Sequence, residues 1–102
     1  MALENAWEKL YKAVRSMVGT GDIKDRIIRA FQANLLNITP ENDLPGQLKN
    51  DFEKIMQELS PRESPGVLTS VEKMPDDKVA EIAKSIVDIY DSVTRKLAKS
   101  RM

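Results

Sequence analysis

Two residue types are missing altogether: the 102-residue chain has no cysteine and no histidine. Without cysteine there is no disulfide, no thiol nucleophile, no iron–sulfur ligation and no thiolate zinc finger. Without histidine, the Ser-His-Asp triad, an imidazole general base and the usual zinc ligand sets are excluded. A ferritin-like di-iron bundle goes with them, because its Glu-x-x-His motifs cannot be written in this alphabet. The chemistry left over belongs to carboxylates, lysine, tyrosine and hydroxyls.

Other shortages narrow the field further. Four glycines and five prolines are too few for a low-complexity or extended chain. Beyond Met1-Ala2-Leu3, unbroken apolar runs are pairs such as Ile27-Ile28, Leu35-Leu36 and Ile86-Val87, against the ~20 residues that a membrane-crossing helix requires. The stretch from Met1 to Glu8 carries acidic residues where a secretory signal carries positive ones, so cytoplasmic residence is the expectation. Net charge is missing as well: 16 Lys and Arg balance 16 Asp and Glu. That balance disfavours a protein built mainly to coat nucleic acid, whose affinity comes largely from neutralising phosphates.

What is present is a regular pattern of greasy stripes. Apolar residues make up 41% and charged residues 31%, and the length suits one domain over residues 1–102. Leu3, Ala6, Trp7, Leu10, Val14, Met17 and Val18 recur at three- and four-residue spacings, which places them on one face of a helix. Gly19-Thr20-Gly21 ends that helix and Asp22 is suited to cap the next. Ile23, Ile27, Ala30, Phe31, Leu35 and Ile38 form a second stripe. Asn34 falls within it, and either ends the helix early or is a buried polar group needing partners.

Thr39-Pro40-Glu41-Asn42 reads as a loop or a single turn. Asp43-Leu44-Pro45 then has the acidic cap and early proline of a helix start. The stripe of Leu44, Leu48, Phe52, Ile55, Met56 and Leu59 follows. After a linker at Ser60-Pro61 and Ser64-Pro65, Val67, Leu68, Val71 and Met74 suggest two to three turns of helix. A long last helix, roughly Asp76 to Lys99, carries Val79, Ile82, Ala83, Ile86, Tyr90, Val93 and Leu97. Lys84 with Asp88, and Asp91 with Arg95, are opposite charges four apart on its solvent side. No stretch alternates as a half-buried strand does. The expected fold is all-α: a compact bundle of four main helices plus one short helix, mostly with antiparallel neighbours.

Candidate sites are few, and none is catalytic, metal-binding or cofactor-binding. Gly19-Thr20-Gly21-Asp22 precedes a helix N-terminus, yet it has no Walker pattern, and Asp22 would repel an anion, so a connector is the reading. Asp22, Asp25, Asp88 and Asp91 are the acids on which a carboxylate enzyme would have to draw. Trp7 sits mid-stripe and reads as core, with Tyr11 at its margin. Ile28, Leu36, Val87 and Ile89 widen their helices' apolar faces beyond a narrow seam. With Tyr11 they are the candidate protein-contact residues, unless the short helix covers them.

Arg95, Lys96, Lys99 and Arg101 form a basic end that suits a helix C-terminus and is the candidate anion-contact set. The leading expectation is a small interaction or regulatory protein acting by helix-to-helix contact, with another protein or with its own copy as a homodimer. A weak nucleic-acid or anionic-partner binder is the alternative, and a carboxylate enzyme the third.

Overall fold

The computed structural model describes residues 3–60 and 66–100, and every regular element among them is helical. In order these are α1 (Leu3–Met17), α2 (Ile23–Ala33), a 3-10 turn (Leu35–Asn37), α3 (Pro40–Asp43), α4 (Gly46–Leu59), α5 (Val67–Lys73) and α6 (Asp76–Ser100). The linker from Pro61 to Pro65 and the candidate contact Arg101 lie outside the described residues, as do the side chains of Val67 and Leu68. No helix among the described residues is long and apolar enough to cross a membrane.

Most of the buried residues come from the expected stripes, with Ala13, Ile28 and Ile89 added from outside them. Helix α1 hides Ala6, Leu10, Ala13 and Met17, and α2 hides Ile27, Ile28, Ala30 and Phe31. Helix α4 contributes Leu48, Phe52, Ile55 and Leu59, while α6 contributes Val79, Ile82, Ile86, Ile89 and Val93. Of the short segment's expected stripe, Val71 is buried and Met74 is half-buried against the core.

Local chemistry sets the ends of the elements. Asp22 caps α2, its carboxylate accepting from the Asp25 N–H at 3.0 Å, which satisfies a donor that the first helical turn leaves unpaired. Just before it, Gly21 has φ 98°. Glycine takes that left-handed backbone without a Cβ penalty, and an added Cβ would stand 3.1 Å from Arg29 Nη2. At the other end, α2 stops where Asn34 does: the buried Asn34 donates its N–H to the Ala30 carbonyl.

The expected start of the third long helix is corrected by the structure. Asp43 does not cap α4, which begins at Gly46 after Pro45. The Asp43 carboxylate is buried and turned back, its Oδ2 accepting from the Thr39 N–H at 2.9 Å and from Asn5 Nδ2 at 3.0 Å. It thereby closes the single turn α3 and ties that turn to the beginning of α1.

Side-chain pairings give the helix directions. Trp7 of α1 bonds Thr94 of α6, while Val14 and Met17 lie beside Ala83 and Val87, so α1 and α6 are antiparallel. Glu58 pairs with Lys78, and Leu48 neighbours Ser92, so α4 and α6 are antiparallel too. Arg26 reaches back to the Met17 carbonyl at 2.8 Å, which folds α1 and α2 into a hairpin. Helices α2 and α6 begin at the same end, where Lys24 lies 4.0 Å from Asp76.

Two candidate contact residues prove to be core: Ile28 is 8% exposed and Ile89 4%. The reason is geometric. Helix α2 packs against α1, α5 and α6, and α6 packs against α1, α2 and α4; a helix with neighbours on several sides buries a broader arc than a two-helix seam does.

The core argument has a direct check. Phe52→Ala, at a side chain 1% exposed, is expected to cost about 3–5 kcal/mol. Leu36→Ala, at 56% exposed, should stay within about 0.5 kcal/mol of the parent. Urea unfolding followed by circular dichroism measures both, and equal losses would contradict the assigned interior.

Candidate functional site

The outer face of the α1–α6 pair gathers apolar side chains at the margin of the core, some half-buried against it and some exposed. On α1, Trp7, Tyr11 and Val14 follow one another at helical spacing, and Val18, just past its end, continues the row. On α6, Ala83, Val87, Tyr90 and Thr94 do the same, running the other way. The large hydrophobics that stand most exposed among the described residues are Tyr11 (40%), Val18 (74%), Leu36 (56%) and Val87 (43%). All but Leu36 belong to this face.

Its middle is aromatic. Trp7 and Tyr11 stack with centroids 5.4 Å apart and planes 3° from parallel, and Tyr90 lies 5.9 Å from Trp7 and 6.3 Å from Tyr11. The Arg15 guanidinium stands 5.9 Å from the centre of the Tyr11 ring, within range of a cation–π attraction. Trp7 Nε1 donates to Thr94 Oγ1 at 2.9 Å, and that hydroxyl donates to the Tyr90 carbonyl at 2.8 Å. The indole is thus held by a polar tie across the helix pair while its ring stays half-buried. Trp7 packs against the core rather than inside it, so the reading of Trp7 as plain core captures only half of its position.

An open hollow lies at each end of this aromatic centre. One, of about 270 Å³, is bounded by Glu4, Trp7, Thr94, Leu97 and Ala98. The other, also about 270 Å³, is lined by Val14, Met17, Val18, Ile23, Ala83 and Val87, with Lys84 and Asp88 at its rim. Sequence reasoning assigned Val18 to the core stripe. It misses because α1 ends at Met17, and the residue just beyond the last turn leaves the helix's buried arc. The glycines that follow were the available signal.

The candidate contact residues are therefore not one cluster. Tyr11 and Val87 share the α1–α6 face, Ile28 and Ile89 are interior, and Leu36 sits apart in the 3-10 turn after α2. That turn packs on α1, near the end that Asn5 and Asp43 tie together.

The charged candidates are placed as plainly. Arg95 pairs with Asp91 at 3.0 Å. Lys96 borders a shallow hollow beside Gln47, Asp51 and Ser92, and Lys99 is exposed at the end of α6. The cations of α2 are engaged elsewhere. Arg26 donates to the Met17 and Asp22 carbonyls, Arg29 to the Thr20 carbonyl, and Lys24 to the Glu72 carbonyl. Of the expected pairs on α6, Asp91–Arg95 closes and Lys84–Asp88 does not.

Asp22, Asp25, Asp88 and Asp91 are all exposed and do not converge: Asp22 caps a helix and Asp91 holds Arg95. Among the described residues no three acidic side chains gather at metal-binding range. Comparison with known protein families, curated proteins and solved structures finds no match.

The far flank of α6 is polar instead. A cleft of about 250 Å³ between α4 and α6 is lined by Asp51, Lys54, Glu58, Lys78, Glu81 and Asp88. Its central contact joins Glu58 Oε2 to Lys78 Nζ at 2.5 Å; the enclosed carboxylate oxygen has the ammonium as its partner. The hydrogen bond to Glu58 holds the Lys78 pKa above its ordinary value of 10.5, against a smaller opposing push from burial and with help from the negative charges of Glu58 and Glu81. A cation with a raised folded-state pKa stabilises fully below the unfolded value, and that stabilisation fades as pH climbs through the folded value. The stability difference between the parent and Lys78→Met should therefore be constant up to about pH 10 and shrink above pH 10.5. Urea midpoints across that range measure it, and a difference unchanged at high pH contradicts the assigned pairing.

Proposed function

We propose that this chain is a small non-enzymatic interaction protein that works through helix-to-helix contact in the cytoplasm, with the α1–α6 face as its contact surface. The observation that carries the reading is the concentration of Tyr11, Val18 and Val87 on one face, around the Trp7–Tyr11–Tyr90 cluster. Aromatic anchors with aliphatic neighbours are the composition that dominates binding energy at protein interfaces. Mixed charges at the border, Glu8, Lys12, Lys84 and Asp91, supply the polar rim that surrounds such a centre. The flanking hollows suit the side chains of an incoming helix, laid in by the same ridge-and-groove packing that joins α1 to α6.

The alternative, an anionic partner held at the basic end of α6, has less behind it. Arg95 is already paired, the cations of α2 serve carbonyls of the fold, and the α6 dipole accounts for positive charge at that terminus.

Photo-crosslinking residues placed at Val18 or Val87, with Gln32 as an exposed control, test the reading in native cells. Adducts to protein from positions 18 and 87, at least about fivefold over the control, are the expected result. Equal labelling at all three positions, or none from the face, overturns it.

A further inference from the structure

We infer that the occupant of the α1–α6 face is a second copy of this chain, its α1 laid antiparallel across the first about a two-fold axis near Tyr11. The inference rests on the reading of that face as a contact surface and adds who fills it. Its support is the order of charge along α1. Glu4 and Glu8 occupy the first half of the outer edge, Lys12 and Arg15 the second, and all four are exposed. They follow at spacings of four, four and three, so they line one edge beside Trp7, Tyr11, Val14 and Val18. The sign changes between Glu8 and Lys12, whose midpoint is position 10, next to Tyr11.

A two-fold axis there turns the edge end for end. Glu4 and Glu8 of one copy then face Lys12 and Arg15 of the other, and symmetry repeats the match. In a parallel copy the two charged edges fall on opposite sides of the seam and make no such match. A partner of one predominant charge fares no better, because half of the edge repels it whichever its sign. On α6 the bordering charges are not sorted, since Lys84, Asp88, Asp91 and Arg95 mix both signs along its length; each helix also closes one exposed pair within itself, Asp91–Arg95 on α6 and Glu8–Lys12 at 3.2 Å on α1. Helix α1 therefore sets the orientation.

Two further features favour a like copy. The chain has zero formal net charge, so two copies approach without mutual repulsion. The same axis also places each copy's aromatic centre over the other's, where large flat side chains contribute most.

Charge exchange tests this without touching the core. The full chain, the variant Glu4→Lys with Glu8→Lys, the variant Lys12→Glu with Arg15→Glu, and an equimolar mixture of the two variants are compared by sedimentation equilibrium. Circular dichroism confirms that helix content is retained. The parent is expected at twice 11.5 kDa. Each variant alone should dissociate at least about tenfold more readily, because like charges then meet across the axis. The mixture should recover association, because the reversed edges complement each other.

A parent that stays at 11.5 kDa, or a mixture no tighter than its components, overturns the inference. With a parent that stays at that mass, crosslinks from Val18 and Val87 to a different protein leave the contact reading standing. The absence of crosslinks from the face removes both.

Discussion

The structure depends on how one helix shares out its apolar surface. Helix α6 has 25 residues and so runs about 37 Å, most of the 43 Å length of the molecule. Its buried arc of Val79, Ile82, Ile86, Ile89 and Val93 serves α1, α2 and α4 together. Burial of those side chains provides the main favourable term in folding, at about 1.5–3 kcal/mol for each large one. Whatever lies outside the arc is left to solvent or to a partner. One flank outside it is charged and faces α4; the other, with Ala83, Val87 and Tyr90, is apolar and borders α1.

The surroundings of that arc explain what the surface lacks. Basic side chains that would make α2 a phosphate-binding stripe are bent onto carbonyls at the α1–α2 connection and at the end of α5. There they satisfy acceptors that helix ends leave open. Acidic side chains are likewise spent singly, Asp22 on a helix start and Asp43 on the α3 turn and Asn5. Charges of both signs share the cleft between α4 and α6, and neither sign is pooled alone into a site. Apolar surface is pooled, and that asymmetry is why the functional reading falls on the α1–α6 face.

Most of the architecture was legible because three- and four-residue spacing is a local property. The stripes of α1, α2, α4 and α6 could be read without knowing which helix met which, and Asp22 could be read as a cap because its partner, Asp25, is three residues away. Asp43 could not. Its local context was that of a cap for α4, but its carboxylate is claimed by Asn5, 38 residues earlier, and no local rule reports that. Ile28 and Ile89 were misjudged for a related reason: the width of a buried arc depends on how many neighbours a helix has. Tyr11 and Val87 were found from their place at the stripe margins. Val18 was missed because its exposure follows from where α1 stops.

The central claim is that α6 turns one flank inward and leaves the adjoining apolar flank open, and neighbouring methyl groups report on it most directly. Ile86 and Val87 are consecutive, yet their exposures are 1% and 43%. In dilute solution, a soluble paramagnetic agent should strongly broaden the methyl resonances of Val87 and Val18 and spare those of Ile86 and Val93. Comparable protection of Val87 and Ile86 under those conditions would contradict the account, because the apolar flank would then be covered within the single chain.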